Sequence, residues 1–378
     1  MINILILKFP YSSSFGGGEK HTIALVRGLI SQGFNFHLYS SCPVLLREFK
    51  KRAWSAIRGW AGVEPVSKWS VLLFPLLAPI IWLKLAWILI FYRLFKKVRI
   101  IYCLSLTEKL LMPALARLLG LKVIWVEHTQ LDRWLTKNPW RFLYVWQSRL
   151  VTIVSISQVI KEQLLAIGVK EKNIKVIYFG IDLGKTDIVL RNFSRKFKDN
   201  FIVGTICRLE PEKGIEFLLQ AVKKALPLIP NLSLIIVGDG SARQNLEWLT
   251  KKLEVESITQ FVGFQRSIEK WYPLFDLFVL PSAKRESFGI SLIESLSFQV
   301  PVIGSRLGGV TEIIEEKKTG YLVPPRNSDA LAEKIIYVYK NYELAKQTAQ
   351  NGRLKVEKMF SLDLMMNEFY QLFFRQKD

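Results

Sequence analysis

Two carboxylates and two cations are spaced so that they could hold an anion bearing several hydroxyl groups. Glu286 and Glu294 bracket the segment Glu286-Ser287-Phe288-Gly289-Ile290-Ser291-Leu292-Ile293-Glu294, which follows Val279-Leu280-Pro281-Ser282 and reads as a strand-to-helix turn. The amides of Phe288 to Ser291 would open that helix. A first helical turn carries unsatisfied N–H groups and the positive end of the dipole, which makes it a seat for an anion. Glu294 falls about two turns in and so points elsewhere than Glu286. Ionised carboxylates only accept hydrogen bonds, so the pair could serve separate hydroxyls, such as those of a sugar and a ribose. Upstream, Arg208-Leu209-Glu210-Pro211-Glu212-Lys213-Gly214 lies between an apolar run and a helical stretch. Two cations at a strand's carboxyl end can neutralise a diphosphate. Gly16-Gly17-Gly18-Glu19 follows the first apolar run, where glycines admit close backbone approach and a helix start offers N–H groups to a phosphate. Each motif also has a plainer reading: a capping and a surface glutamate, a solvated basic loop, an ordinary glycine turn.

Elements of one recurring kind must position these residues. Short apolar runs alternate with helical patterns along most of the chain, which predicts parallel strands joined by crossover helices. Strands are expected at Ile2–Leu7, Phe34–Tyr39, Arg99–Leu104, Lys122–Glu127, Leu150–Ser155 and Lys175–Tyr178. After a polar, basic stretch, Thr186–Asn200, they resume at Phe201–Ile206, Leu232–Val237, Gln260–Val262, Leu277–Leu280 and Val300–Ile303. That stretch, with Arg191, Arg195, Lys196 and Lys198, reads as a linker. The expected fold is α/β: two doubly wound Rossmann-like domains facing across a cleft, 1–185 and 186–360, with a last helix, 361–378, returning to the first domain. Ligands of such sheets bind beyond the carboxyl ends of the strands, and the cleft is the default site.

The chain has 378 residues, 50 % of them hydrophobic, and a formal net charge of +21. A field of that sign attracts anions: phosphorylated substrates, an acidic membrane face or nucleic acid. No RNA-binding signature or zinc-finger spacing is present, so nucleic acid is not an expected partner. Cys42, Cys103 and Cys207 are far apart and lack metal-like spacing. The opening MINILILKFP has no basic leader segment and reads as a buried strand rather than a signal peptide. The glycine run is not a G-x-G-x-x-G fingerprint, which disfavours dinucleotide binding.

Residues 44–98 read as an insert. Within it, 69–95 is apolar enough to suggest a membrane span, but Lys84 sits mid-segment, Pro75 and Pro79 should break or kink its first half, and strands on either side should share one sheet. From Arg47 to Arg99 there are eleven Lys/Arg against two Glu, together with Trp54, Trp60, Trp69, Trp82 and Trp87. Basic flanks with tryptophan suit a segment lying in the headgroup layer of an anionic membrane. The alternative is a core helix pair whose basic residues are merely solvated.

The order GGGE, EHT, ISQVIKEQL, YFGID, RLEPEKG, VGDG, FVGF, E-x7-E, GGVTEII and TGYLVPP resembles family 4 of the retaining glycosyltransferases, from residue 1 to about 325 apart from the insert. The resemblance implies the GT-B fold and a nucleotide-diphosphate sugar as donor substrate. On this chain it implies that Arg208 and Lys213 hold the donor diphosphate, that Gly17 and Gly18 approach it from the other domain, and that Glu294 binds the ribose. It further implies that Glu286 orients the donor sugar, that Phe288, Gly289 and Ile290 offer amides, that His128 sits over the sugar, and that Gly238 and Gly240 line the nucleobase pocket. No metal and no other cofactor is expected, and configuration is retained. Two positions depart from the family, which often has glycine where Gln299 and Cys207 stand. The insert suggests a glycan or lipid-linked acceptor and a cytoplasmic enzyme, peripheral on the inner face of the plasma membrane. The rival readings are an epimerase or hydrolase on the same fold, and a non-catalytic basic membrane-binding module.

Overall fold

The computed structural model describes residues 2–10, 16–60, 62, 64–191 and 200–374. The chain divides into two compact units, Met1–Tyr178 with Met366–Asp378, and Phe179–Met365.

In the first unit the strands are β1 (Ile2–Lys8), β2 (Phe34–Ser40), β3 (Ser55–Arg58), β4 (Val98–Cys103), β5 (Lys122–Glu127), β6 (Thr152–Ser155) and β7 (Ile174–Val176). They form one sheet in the order β3-β2-β1-β4-β5-β6-β7, parallel throughout. Ile4 to Leu7 of β1 are all fully buried, because a parallel sheet is covered by crossover helices on both faces. The strand order reverses between β1 and β4, and the loops after the strands at such a point leave a crevice. From Met366 the chain packs on this unit, with Phe369 and Phe373 against Tyr102, both at 6.3 Å between ring centres.

The second unit repeats the plan with β8 (Phe201–Ile206), β9 (Leu232–Val237), β10 (Thr259–Gly263), β11 (Leu277–Leu280), β12 (Val302–Ser305) and β13 (Tyr321–Val323). The order is β10-β9-β8-β11-β12-β13, again parallel, and it reverses between β8 and β11. The RLEPEKG segment follows β8 and the E-x7-E segment follows β11, so the two motifs leave the two strands that flank the switch point.

Several sequence expectations need correction. A helix, Leu183–Arg191, runs into the stretch Thr186–Asn200 that was read as a linker, while Arg195, Lys196 and Lys198 lie outside the described residues. The stretch 44–98 contributes β3, which pairs with β2 at the sheet edge. Most of the rest is a single helix, Lys68–Phe95, which continues through both Pro75 and Pro79 without the break that was one expectation, and a helix pair was the alternative. Pro75 lacks an N–H, so it cannot satisfy the carbonyl of Val71 four residues back. The indole N–H of Trp140 donates to that carbonyl instead, at 3.3 Å.

Candidate active site

In the second unit the loop after β8 closes in a short 3₁₀ turn, Pro211–Lys213, and Gly214 then starts the helix Ile215–Ala225. This brings the Lys213 ammonium within 2.7 Å of Glu286 Oε2, on the loop after β11. The Ser282 hydroxyl donates to the same oxygen at 2.8 Å. The Lys213 and Glu286 side chains are 16 % and 10 % exposed, so the ion pair is largely desolvated. Burial alone would lower the lysine's pKa, but the Glu286 charge and hydrogen bond outweigh it, and the pKa lies above its ordinary value. Lys213 is therefore a permanent cation at neutral pH. Arg208 projects into solvent, 47 % exposed, and among the described residues its one ion pair is a 3.4 Å contact to Glu212, an arrangement that leaves its planar fork available to an incoming anion.

Cys207 directly follows β8, within electrostatic reach of these groups. Burial raises its thiol to about 11, and the charges of Lys213, Glu286 and Arg208 all act on it. On another side, Tyr272 is raised well above its usual range by burial and then by Glu294, to which its hydroxyl donates at 2.6 Å, and it too feels Cys207. Lys213, on the loop after β8, is thus in contact with Glu286, on the loop after β11, while Glu294 is held by Tyr272. The two that hold carboxylates in place, Ser282 and Tyr272, were missed. Ser282 was legible only as a polar residue closing an apolar strand, and Tyr272 as one aromatic among several.

Glycines set the shape around them. Gly238 directly follows β9 at φ +140, and a Cβ there would lie 1.8 Å from the Cys207 carbonyl oxygen. Gly240 is pressed against the Leu209 carbonyl in the same way, and the two loops are joined by Leu209 N–H to Asp239 O at 3.0 Å and Ala242 N–H to Leu209 O at 2.8 Å. Gly289, at φ +99, caps the helix Ile290–Ser297, which carries Glu294 in its second turn. Phe288 is buried against Phe360, ring centres 5.4 Å apart, so only its backbone could meet a ligand. Ile290 begins the helix and is partly exposed.

The remaining candidates belong to the first unit. Gly16 precedes the helix Gly17–Ile30, and the Glu19 carboxylate accepts the Gly16 N–H at 3.2 Å while pairing with Lys8 of β1. His128 directly follows β5. A Cβ on Gly18 would sit 3.3 Å from His128 Cγ, so the glycine makes room for the imidazole. The His21 ring lies edge-on to it at 4.7 Å. Burial, then the charges of His21, Lys8 and Lys109, hold His128 well below its ordinary pKa, so the ring is neutral at pH 7. Its Nε2 is buried and has no hydrogen-bond partner among the described residues. Behind it, Glu127 accepts from Lys109 at 2.6 Å and from the Tyr144 hydroxyl at 2.7 Å, all buried, which fixes the end of β5. Among the described residues no group of three His, Cys, Asp or Glu clusters as metal ligands would.

The family model described as Glycosyltransferase Family 4 matches residues 15–185, and that described as Glycosyl transferases group 1 matches residues 188–355. The chain belongs to the family 4 glycosyltransferases. An uncharacterised glycosyltransferase of Methanocaldococcus jannaschii is 32 % identical over 227 residues, 57 % of this chain and 58 % of that one. The capsular polysaccharide biosynthesis glycosyltransferase CapM of Staphylococcus aureus is 26 % identical over 238 residues, 58 % of this chain and 60 % of that one. The alignments thus span less than two thirds of these relatives' own length. Among solved structures, HepE of Anabaena, described in complex with UDP, superposes with a TM-score of 0.81 at 19 % identity, covering 98 % of this chain and 99 % of that one. The likeness is one of fold: both share the GT-B type, two parallel-sheet α/β domains. Glu286, Glu294 and the Arg208–Lys213 pair all fall in the portion matched by the group 1 model, and Gly17, Gly18 and His128 in the portion matched by the family 4 model.

Proposed function

We propose that this family 4 glycosyltransferase moves a sugar from a nucleotide-diphosphate donor to a glycan or lipid-linked acceptor with retention of configuration. The observation that carries the reading is the desolvated Lys213–Glu286 pair beside solvent-facing Arg208 at the switch point of the second sheet. Arg208, Lys213 and the amides opening the helix Ile290–Ser297 stabilise the charge that grows on the departing diphosphate. Glu286, held by Lys213 and Ser282, orients the sugar hydroxyls. Glu294, held by Tyr272, takes the ribose. Gly238 and Gly240 leave room for the nucleobase. In the first unit, neutral His128, for which Gly18 makes room, is a hydrogen-bonding group suited to a sugar hydroxyl. The bond from the anomeric carbon to the diphosphate oxygen breaks, the acceptor oxygen bonds to the same face of that carbon, and the acceptor's proton passes to the departing phosphate. The charge balance is met by protein cations, and no metal is assigned a part.

A uridine diphosphate sugar is the first donor to try, because HepE of Anabaena is described with UDP. The acceptor class is suggested by CapM, named for capsular polysaccharide biosynthesis, and by the exposed apolar helix Lys68–Phe95 with its basic surroundings. That helix also suggests a peripheral enzyme on the inner face of the plasma membrane. The test is nucleoside-diphosphate release from a donor panel, with and without membrane lipid extract, and donor binding by calorimetry. Acceptor-dependent release, with binding abolished in Arg208→Ala, supports the reading. Equal release without any acceptor would make the protein a donor hydrolase and overturn it.

A further inference from the structure

The helix Lys68–Phe95 has two apolar faces, and only one is covered. Phe74, Ile81, Leu85, Ile88, Leu89 and Tyr92 are 0–3 % exposed, packed into the first unit. Trp69, Leu72, Leu76, Ile80, Leu83 and Trp87 are 64–76 % exposed. The exposed set recurs every three or four residues over five helical turns, which places it on one stripe, roughly opposite the buried set. At about 1.5 Å per residue the stripe from Trp69 to Trp87 is about 27 Å long, more than a soluble monomer commonly leaves in water.

We infer that this stripe lies flat in one leaflet of an anionic bilayer, and that the helix does not cross it. The inference goes beyond the transfer reaction and does not depend on it. Two observations exclude a crossing. The buried face is packed along the same length from Phe74 to Tyr92, so a span would have to strip it from its own core. Three residues after the helix ends, Val98 enters β4 and pairs with Asn3 of β1, so the chain returns at once to the sheet it left. Charge complementarity selects the occupant. From Arg47 to Arg99 there are eleven Lys/Arg against two Glu. Arg47, Lys50, Lys51, Arg58, Lys96 and Lys97 are all exposed. Lys68 and Arg93 flank one side of the stripe and Lys84 the other, with the Lys84 ammonium 5.6 Å from the centre of the Trp60 ring. Lysine and arginine at such borders carry their stems along the acyl chains and their charges into the headgroups. A second copy of the same chain would bring the same positive rim against itself.

The experiment uses the full chain with phosphatidylcholine vesicles, with and without phosphatidylglycerol. The protein is expected to sediment with the anionic vesicles, to be released by alkaline carbonate, and to have its tryptophan fluorescence quenched by shallow rather than deep brominated lipids. Leu76→Ser/Leu83→Ser, two exposed changes that spare the core, should raise the vesicle Kd at least about tenfold while the thermal transition and donor binding stay put. Vesicle binding unchanged by that variant overturns the inference. So does retention after carbonate, which would mean a span, and so does a parent that ignores both vesicles and runs as a dimer dissociated by the variant. Loss of transfer activity alone bears on the enzymatic reading and not on this one.

Discussion

Replacing Lys213 by methionine keeps the aliphatic stem and removes the ammonium that sits 2.7 Å from Glu286 Oε2. At that distance and an effective dielectric of about 20, the gross attraction is about 6 kcal/mol. Desolvation of both partners offsets much of it, and contacting residues of this kind show coupling of about 1–3 kcal/mol. The same change removes a cation from the place where the leaving diphosphate gathers charge, and one preorganised group in such a position supplies about 2.7–4 kcal/mol. Lys213→Met should therefore lower kcat/KM by about 10²–10³, and Glu286→Gln by a similar factor. Because the two share one contact, the double variant should lose less than the product of the single losses, by about tenfold to 100-fold. The assay is nucleoside-diphosphate release across the four members of the cycle, with thermal melts to establish that each is folded. Either single variant turning over within about threefold of the parent would refute the site. A double variant equal to the product would leave both residues in the site but acting separately.

Three further perturbations follow from particular contacts. Tyr272→Phe removes the hydroxyl that donates to Glu294 at 2.6 Å. A charge-assisted bond of about 1.5–3 kcal/mol is lost, so the donor KM should rise at least about tenfold with kcat little changed, and the preference for a ribosyl over a 2′-deoxyribosyl donor should narrow. If Glu294→Gln alters that preference and Tyr272→Phe does not, the tyrosine is structural only. His21 is buried, with its pKa lowered to about 3 from 6.5, so the unfolded chain takes up the proton first as pH falls. Its contribution is fully present above pH 6.5 and is lost on acidification, by about 2 kcal/mol between pH 6.5 and 5. Chemical denaturation at pH 7 and pH 5 should find His21→Leu less acid-sensitive than the parent by about that amount, and parallel losses would overturn the assignment. Gln299 follows the helix Ile290–Ser297 at φ +57, a left-handed conformation that costs a side-chain-bearing residue about 1–2 kcal/mol. Gln299→Gly relieves that strain against a smaller entropic loss, and calorimetry should find the second unit melting about 2 °C higher; a lower transition would refute the strain.

What could be read in advance follows from how a parallel sheet presents itself. Strands buried on both faces must be nearly continuous apolar runs, so Lys122–Glu127, Phe201–Ile206, Leu232–Val237 and Leu277–Leu280 stand where the sequence put them. β3, with the sequence Ser-Ala-Ile-Arg at an exposed edge, and β13, three residues long, carry too little of that signal and were missed. The helix continues through Pro75 for a reason that is not local. The carbonyl that Pro75 orphans is satisfied by Trp140, 69 residues along the chain, and no window of the helix sequence contains that donor.

The same division between local and distant information runs through the site. Residues on the loops after β8 and β11 were legible because chemistry at a switch point requires charge and glycine at strand ends, and strand ends can be located from the strands. What holds those residues was not legible. Ser282 reaches Glu286 across one turn, but Tyr272 reaches Glu294 across 22 residues and an intervening strand. Gln299 was visible as a departure from glycine, while its positive φ was not. Local pattern thus names the groups that would meet the donor, whereas their orientation is set by partners that only the folded sheet brings near. Tyr272 therefore discriminates better than Glu294 does. Loss of the carboxylate would be expected from the motif alone, but a changed ribose preference on loss of the tyrosine hydroxyl is expected only if this packing is right.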